Sequence, residues 1–266
     1  MGRFTGKVAV VTGAGGGIGR ATAARLAAEG ASLVLVDRVP GTLKDTQAAV
    51  ERAGATTLAI EADVTRWDDV QRYTTASTER FGGIDVFFNN AGILGDVSPL
   101  IEYSEATFDR VLAVNVKGVW LGLKAVAAVM AARGGGAIVN TASVAGLRAS
   151  PTLGPYSASK HAVIGLTRTA AVELARRGIR VNAVCPAPID TPMVRQFEAG
   201  LGEGAHERLL ARIPMQRFGE ADEVAALVVF LLSADASYVN GGIYTVDGGS
   251  MASPTPSRHA PGERLH

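Results

Sequence analysis

The feature that most restricts this chain is the run Thr12-Gly13-Ala14-Gly15-Gly16-Gly17-Ile18-Gly19, which directly follows the apolar stretch Lys7 to Val11 and opens an Ala-rich segment, Arg20 to Glu29. A glycine loop set between a strand and a helix is an arrangement for binding a dinucleotide. Gly13 can permit the tight turn, Gly17 lets backbone approach a pyrophosphate, and Gly19 lets helix and strand pack closely. Gly16 and Ile18 complete the loop, with the phosphates expected at the positive end of the helix. The plain alternative, a flexible glycine-rich turn, does not account for the strand and helix on either side.

The same rhythm continues along the chain. Short runs rich in Val and Ile (Ser32 to Val36, Thr57 to Ala62, Ile84 to Asn89, Gly136 to Thr141, Ile179 to Val184, Gly242 to Val246) alternate with helix-sized, Ala-rich segments. This predicts an α/β fold, a doubly wound parallel sheet of about seven strands with helices on both faces. The composition agrees, because 47% of the 266 residues are hydrophobic but only 6% aromatic, so the core is built from Ala, Val, Leu and Ile. A single domain over residues 1–253 is expected. Within it, Ala187 to Pro214 reads as an irregular stretch of mixed polarity and a candidate lid, and Pro254 to His266 as a disordered tail.

Asp37 ends the second strand, where its carboxylate can accept hydrogen bonds from the adenosine ribose hydroxyls and repel a 2′-phosphate. NAD is therefore expected over NADP, although the adjacent Arg38 could pair with such a phosphate. Asp63 and Val64 close the third strand and Asn89-Asn90-Ala91-Gly92 the fourth, so polar and small residues collect at the carboxyl edge of the sheet. Ligands bind at that edge in open α/β folds.

Tyr156-Ser157-Ala158-Ser159-Lys160 lies on another helical segment, and a spacing of four places Tyr156 and Lys160 on one face. A nearby ammonium would stabilise the phenolate, and a positioned phenol can give a proton to an alkoxide or take one from an alcohol. On these motifs the chain resembles the short-chain dehydrogenases/reductases, in the branch with Thr-Gly-x-x-x-Gly-Ile-Gly and Tyr-x-x-x-Lys. The resemblance runs over nearly the whole chain and includes Asp63, Asn89 to Gly92, Asn115, Ser143 and the closing Val246-Asp247-Gly248-Gly249. It implies a Rossmann-like fold, with Ser143 hydrogen-bonding the substrate oxygen, Tyr156 transferring the proton, and Lys160 also holding the nicotinamide ribose. It further implies that Asn115 anchors a water in a proton relay, and that Ile189 and Thr191 meet the nicotinamide amide. More modest roles are open to three of these: Ser143 could cap a turn, Asn115 could bond backbone only, and Asn89 could stitch two strands together. Where the family usually has Pro-Gly after the sixth strand, this chain has Pro186-Ala187-Pro188. Ala lacks free access to positive φ, so that loop is expected to be shaped differently.

Other chemistries find little support. No His-Glu-x-x-His segment exists and the four histidines are scattered, so no metal site is expected. Ser143 lacks a Gly-x-Ser-x-Gly elbow, which argues against a hydrolase. With 26 basic and 25 acidic side chains and no block of like charge, neither nucleic acid nor a membrane surface is an expected partner. The apolar runs read as too short or too interrupted to span a bilayer, and the lone Cys185 fits a reducing cytoplasm.

Substrate choice is expected in the loops, where Ile93, Leu94, Leu147, Leu153, Met193, Val194 and Phe197 could line a pocket for a neutral, hydrophobic ketone. Arg148 or Arg195 would serve a polar substituent. Within the family, Phe87 to Gly92, Asn140 to Arg148 and Ser237 to Asn240 look most like members acting on cyclic alcohols, ketones or diketones. The helices Asn115 to Ala132 and Ser157 to Ala175 show apolar faces on both sides and so call for partners; the family resemblance implies a homotetramer formed through these helices and the final strand. The leading expectation is an NAD-linked alcohol/ketone oxidoreductase. The alternatives are an NADPH-dependent 3-oxoacyl-thioester reductase and a non-catalytic dinucleotide sensor.

Overall fold

The strand before the glycine loop, β1 (Val8–Thr12), is buried at every residue, as expected of a parallel strand covered on both faces. The computed structural model describes residues 2–253, and the tail expected over Pro254 to His266 lies outside them. Six more strands join β1: β2 (Ser32–Asp37), β3 (Thr57–Glu61), β4 (Val86–Asn89), β5 (Gly136–Thr141), β6 (Ile179–Pro186) and β7 (Ile243–Val246). All pair in parallel, in the order β3-β2-β1-β4-β5-β6-β7. The order reverses at β1, so the loops leaving β1 and β4 turn to opposite faces and open a crevice between them.

The connecting helices are α1 (Gly17–Ala28), α2 (Pro40–Arg52), α3 (Trp67–Phe81), α4 (Glu105–Leu112), α5 (Val119–Ala132), α6 (Gly154–Leu174), α7 (Pro192–Leu201), α8 (Ala205–Leu210) and α9 (Ala221–Leu232). Strand side chains alternate between two cores. Val10, Val36, Phe87 and Ile138 pack on the face of α3, α5 and α6. Val11, Leu35, Phe88 and Val139 pack on the face of α1, α2 and α9.

Two sequence expectations are corrected by the fold. The stretch Ala187 to Pro214 is not irregular, because it carries α7 and α8. Pro192 starts α7 at a position where its missing N–H costs nothing, and the mixed polarity is amphipathic, with Met193, Val194 and Phe197 inward and Arg195 outward. The second correction concerns length. A π-helical turn, Ala113–Gly118, joins α4 and α5 into one helix, Glu105–Ala132, of 28 residues. By length and composition that helix could cross a bilayer, but over half of its apolar window is buried inside the protein. Packed between α3 and α6, it serves as a core helix.

Candidate active site

A cavity of about 400 Å³ runs along the carboxyl edge of the sheet, from Asp37 past the glycine loop to Ser143, Tyr156 and Ser250. At its first end the loop is closed to side chains at Gly13 and Gly19. A Cβ on Gly19 would sit 2.0 Å from the Gly13 carbonyl oxygen, and Gly13 itself has φ +66°. The first turn of α1 has no side-chain cap on Gly16 and no acidic residue, so its N–H groups lack acceptors of their own. Gly16, Gly17 and Ile18 line the cavity there. This is a fit for the phosphates of a dinucleotide.

Asp37 lines the same end. One carboxylate oxygen accepts from Gly15 N at 2.8 Å and the other from Val39 N at 3.0 Å. Each oxygen keeps a lone pair, which suits a pair of ribose hydroxyls. Arg38 is exposed and does not line the cavity.

Asn89, which ends β4, and Asn90, which follows it, part company. Asn89 follows the α5 face, where its amide donates to Val119 O at 2.9 Å and Asn140 Oδ1 at 3.1 Å, and it does not reach the cavity. Its modest role, stitching strands, is the one the structure supplies. Asn90, which the sequence reading did not single out, faces the glycine loop and lines the cavity. Its Nδ2 donates to Thr12 O at 3.1 Å, and its Oδ1 accepts from Thr141 Oγ1 at 3.0 Å. Strand alternation was the signal that separates the pair. Asp63 and Val64 also stay outside the lining. Asp63 accepts from Thr65 N and Oγ1, and Val64 packs so closely on the π-helical turn that a Cβ on Gly118 would lie 2.8 Å from it.

At the other end of the cavity α6 presents Tyr156 and Lys160 one turn apart, both buried. Ser143 faces them from the end of β5. Its Oγ accepts from Ala145 N at 3.1 Å, capping a short 3₁₀ turn over Val144–Gly146, and donates to Pro186 O at 3.4 Å. It therefore caps a turn and lines the cavity at once. Burial pushes the Tyr156 phenol up to about 12, while its hydrogen bond with Ser143 pulls the other way. Burial brings the Lys160 ammonium down to about 8. The two groups lie side by side on α6, as their spacing predicts. The Lys160 Nζ donates to Thr141 O at 2.8 Å and lies 5.5 Å from the Tyr156 ring centre. A buried ammonium needs an acceptor, and the carbonyl at the strand end provides it.

Asn115 sits in the π-helical turn, away from the lining. Its Oδ1 accepts from Ile93 N at 2.8 Å, and its Nδ2 donates to Ile93 O at 2.9 Å and to Ser159 Oγ at 3.1 Å. The side chain is thus committed to fixing the loop after β4. Ala187 has no left-handed φ and donates its N–H to Val246 O at 3.1 Å, so this loop needs no glycine. Ile189 and Thr191 line the cavity as expected. A Cβ on Gly17 would lie 3.2 Å from the Thr191 methyl, which brings the start of α7 against the glycine loop.

Around Tyr156, Leu94, Ala145 and Leu153 form a small apolar cluster with Val97, Met193 and Phe197 packed on it. Of the residues expected there, Ile93 and Leu147 do not line the cavity. Nor does Arg195, which turns outward to Asp190 at 2.6 Å. Arg148 does line it, joined by Arg212, which the sequence reading missed. Gln196 Nε2 donates to Gly95 O at 3.0 Å and ties α7 across to the loop after β4. Among the described residues no cluster of His, Cys, Asp or Glu could hold a metal.

Residues 13–251 match a family model described as enoyl-(acyl carrier protein) reductase. Levodione reductase of Leifsonia aquatica is 49% identical over 94% of this chain and 96% of its own. The chain belongs to the short-chain dehydrogenase/reductase family. Cyclohexanol dehydrogenase of an Acinetobacter species is 40% identical, covering 92% of this chain and 95% of its own. Among solved members of the family, a levodione reductase crystal structure superposes with TM-score 0.91 at 48% identity, over 94% of this chain and 99% of that one. An NAD+-bound xylitol dehydrogenase gives 0.89 at 39%, over 92% and 99%. A structure from Agrobacterium tumefaciens with bound NADP gives 0.85 at 35%, over 94% and 98%. As a short-chain dehydrogenase/reductase the chain is an oxidoreductase that binds a nicotinamide dinucleotide.

Proposed function

We propose that this short-chain dehydrogenase/reductase interconverts a secondary alcohol and a ketone with NAD(H), on a small substrate with a cyclic or aryl frame. The observation that carries the reading is the meeting of Ser143 and Tyr156 with the apolar cluster of Leu94, Leu153, Met193 and Phe197 in one cavity. When bound, the nicotinamide ring supplies or accepts the hydride. Ser143 Oγ donates to the substrate oxygen and fixes its place. Tyr156, held as the neutral phenol by burial that pushes it up to about 12, gives its proton to the forming alkoxide in reduction; in oxidation it takes the alcohol's proton as the phenolate, after releasing its own to solvent, with the Lys160 ammonium beside the ring favouring that form. Lys160, whose Nζ is steered by Thr141 O, would hold the nicotinamide ribose. Asn115 acts as a positioning residue through Ile93 and Ser159. The segment 187–214 acts as a lid.

Asp37 supports NAD over NADP, since a 2′-phosphate would meet a carboxylate already fixed by two backbone N–H groups. Exposed Phe108, Trp120 and Val172, on α4, α5 and α6, support assembly as a homotetramer. Sizing chromatography tests it, and a monomer would remove it.

The reading as a whole is tested by following NADH and NADPH oxidation at equal concentration across cyclic ketones, diketones, aryl ketones and 3-oxoacyl thioesters. NADH-linked turnover of a cyclic or aryl ketone is expected. Activity confined to NADPH and thioesters would replace this reading with an acyl-thioester reductase.

A further inference from the structure

The charges lining the cavity are unevenly placed. Asp37 is the one acidic side chain, at the end marked by the glycine loop, whereas Arg148, Lys160 and Arg212 line the remainder. Lys160 is buried against Thr141 O, but the two arginines are not so confined.

Arg148 is half-buried and held in place without being neutralised. Its Nη1 donates to Ser250 O at 3.0 Å and its Nη2 to Ser250 Oγ at 2.8 Å. Ser250 is itself buried, on a turn closed by Asp247, whose carboxylate accepts from Gly249 N at 3.1 Å and Met251 N at 2.8 Å. A guanidinium carries five N–H donors, so two bonds to a serine leave donors and a full charge unspent. Arg212, an exposed side chain, lines the same cavity. The next two residues lean on the same turn: a Cβ on Gly248 would lie 2.8 Å from the Ile213 methyl, and one on Gly249 3.3 Å from Pro214. Neither arginine has a carboxylate within ion-pairing distance among the described residues. One cation is thus fixed to the wall beside Ser143, and a second rides on the segment that follows α8.

We infer that Arg148 and Arg212 form a carboxylate-binding subsite at the substrate end of the cavity, selecting alcohols and ketones with an acid group remote from the reacting carbon. This rests on the proposed oxidoreductase reading and narrows its substrate to oxo and hydroxy acids built on an apolar frame. The frame lies on Leu153, Met193 and Phe197, and the acid group bridges wall and lid. Planar guanidinium groups match a carboxylate with paired N–H donors, and closing the bridge draws the lid segment toward Arg148.

The test compares binding of cyclohexanecarboxylate and cyclohexanecarboxamide to the NADH-loaded enzyme by calorimetry, in wild type, Arg148→Gln and Arg212→Gln. The two ligands share a shape and differ in charge, and neither reacts, so the result does not depend on turnover. A wild-type preference for the acid of about tenfold or more is expected from hydrogen bonds to a charged group. Each substitution is expected to reduce that preference several-fold, and 0.5 M salt to weaken it. An equal affinity for acid and amide in the wild type overturns the inference. So does an acid preference that survives both substitutions, or a loss of NADH affinity with the preference intact, which would assign the arginines to the dinucleotide. Circular dichroism of each variant separates these outcomes from misfolding, and Arg212→Lys, which keeps the charge, is expected to retain part of the preference. Failure of the ketone panel together with a clear acid preference would sink the proposed cyclic or aryl ketone substrate and leave the subsite standing.

Discussion

Lys160 allows the electrostatics of the site to be tested apart from catalysis. In the folded chain its ammonium is stripped of water and is brought down from 10.5 to about 8. Below pH 8 the folded protein therefore carries a charge that the unfolded chain holds more comfortably, at a cost of about 3 kcal/mol. Between pH 8 and 10.5 the folded protein has released this proton and the unfolded chain has not, so stability rises with pH across that window. Lys160→Met removes the titration and keeps most of the side-chain volume. Unfolded-state titration of Tyr156 and Cys185 is common to both proteins, and in the folded state both groups titrate higher, near 12 and 11. Urea unfolding without dinucleotide, followed by tryptophan fluorescence at fixed protomer concentration, gives the two stability curves. The wild type is expected to gain about 2.5 kcal/mol on the Met variant between pH 7 and pH 10. A constant difference over that range would refute the claim that burial lowers Lys160.

Three further perturbations test other parts of the site. Tyr156→Phe is expected to lower turnover at least about a hundredfold, the usual scale for losing a general acid, with NADH affinity measured by fluorescence titration unchanged within a few-fold; unimpaired turnover would remove Tyr156 as proton donor. Asp37→Ser is expected to lower the ratio of kcat/KM for NADH over NADPH by about tenfold or more, since it removes both the ribose acceptor and the repulsion of a 2′-phosphate; an unmoved ratio would assign cofactor choice elsewhere. Gly19→Ala forces a methyl group to within 2.0 Å of the Gly13 carbonyl oxygen, so NADH binding is expected to collapse while circular dichroism still reports the sheet. Normal binding would mean the loop can relax at no cost.

The fold was legible because parallel strands buried on both faces write themselves as short Val and Ile runs. Every expected strand is present with its ends within two residues. What escaped had local causes. α7 and α8 were hidden because an amphipathic helix over a cavity turns polar side chains outward and looks like a loop of mixed polarity. The choice between Asn89 and Asn90 depends on which core each faces, and that is settled by the alternation of Phe87 and Phe88, not by residue type. The spacing of Tyr156 and Lys160 placed them side by side but could not reveal that Thr141 O would take the ammonium. The π-helical turn around Asn115 has the composition of ordinary helix, so nothing in the sequence distinguishes it. Arg148 and Arg212 lie far apart in sequence, and only the folded chain brings both to one cavity.

The turn around Ser250 also orders events during synthesis. The residues expected to meet the adenosine ribose and the phosphates, Asp37 and the glycine loop, all lie early in the chain, whereas Lys160 and Thr191 come far later. The wall that carries Arg148 is secured only when Ser250, 102 positions later, arrives to receive it. The substrate end is thus the last part of the cavity to be finished as the chain grows, and the final turn is what finishes it.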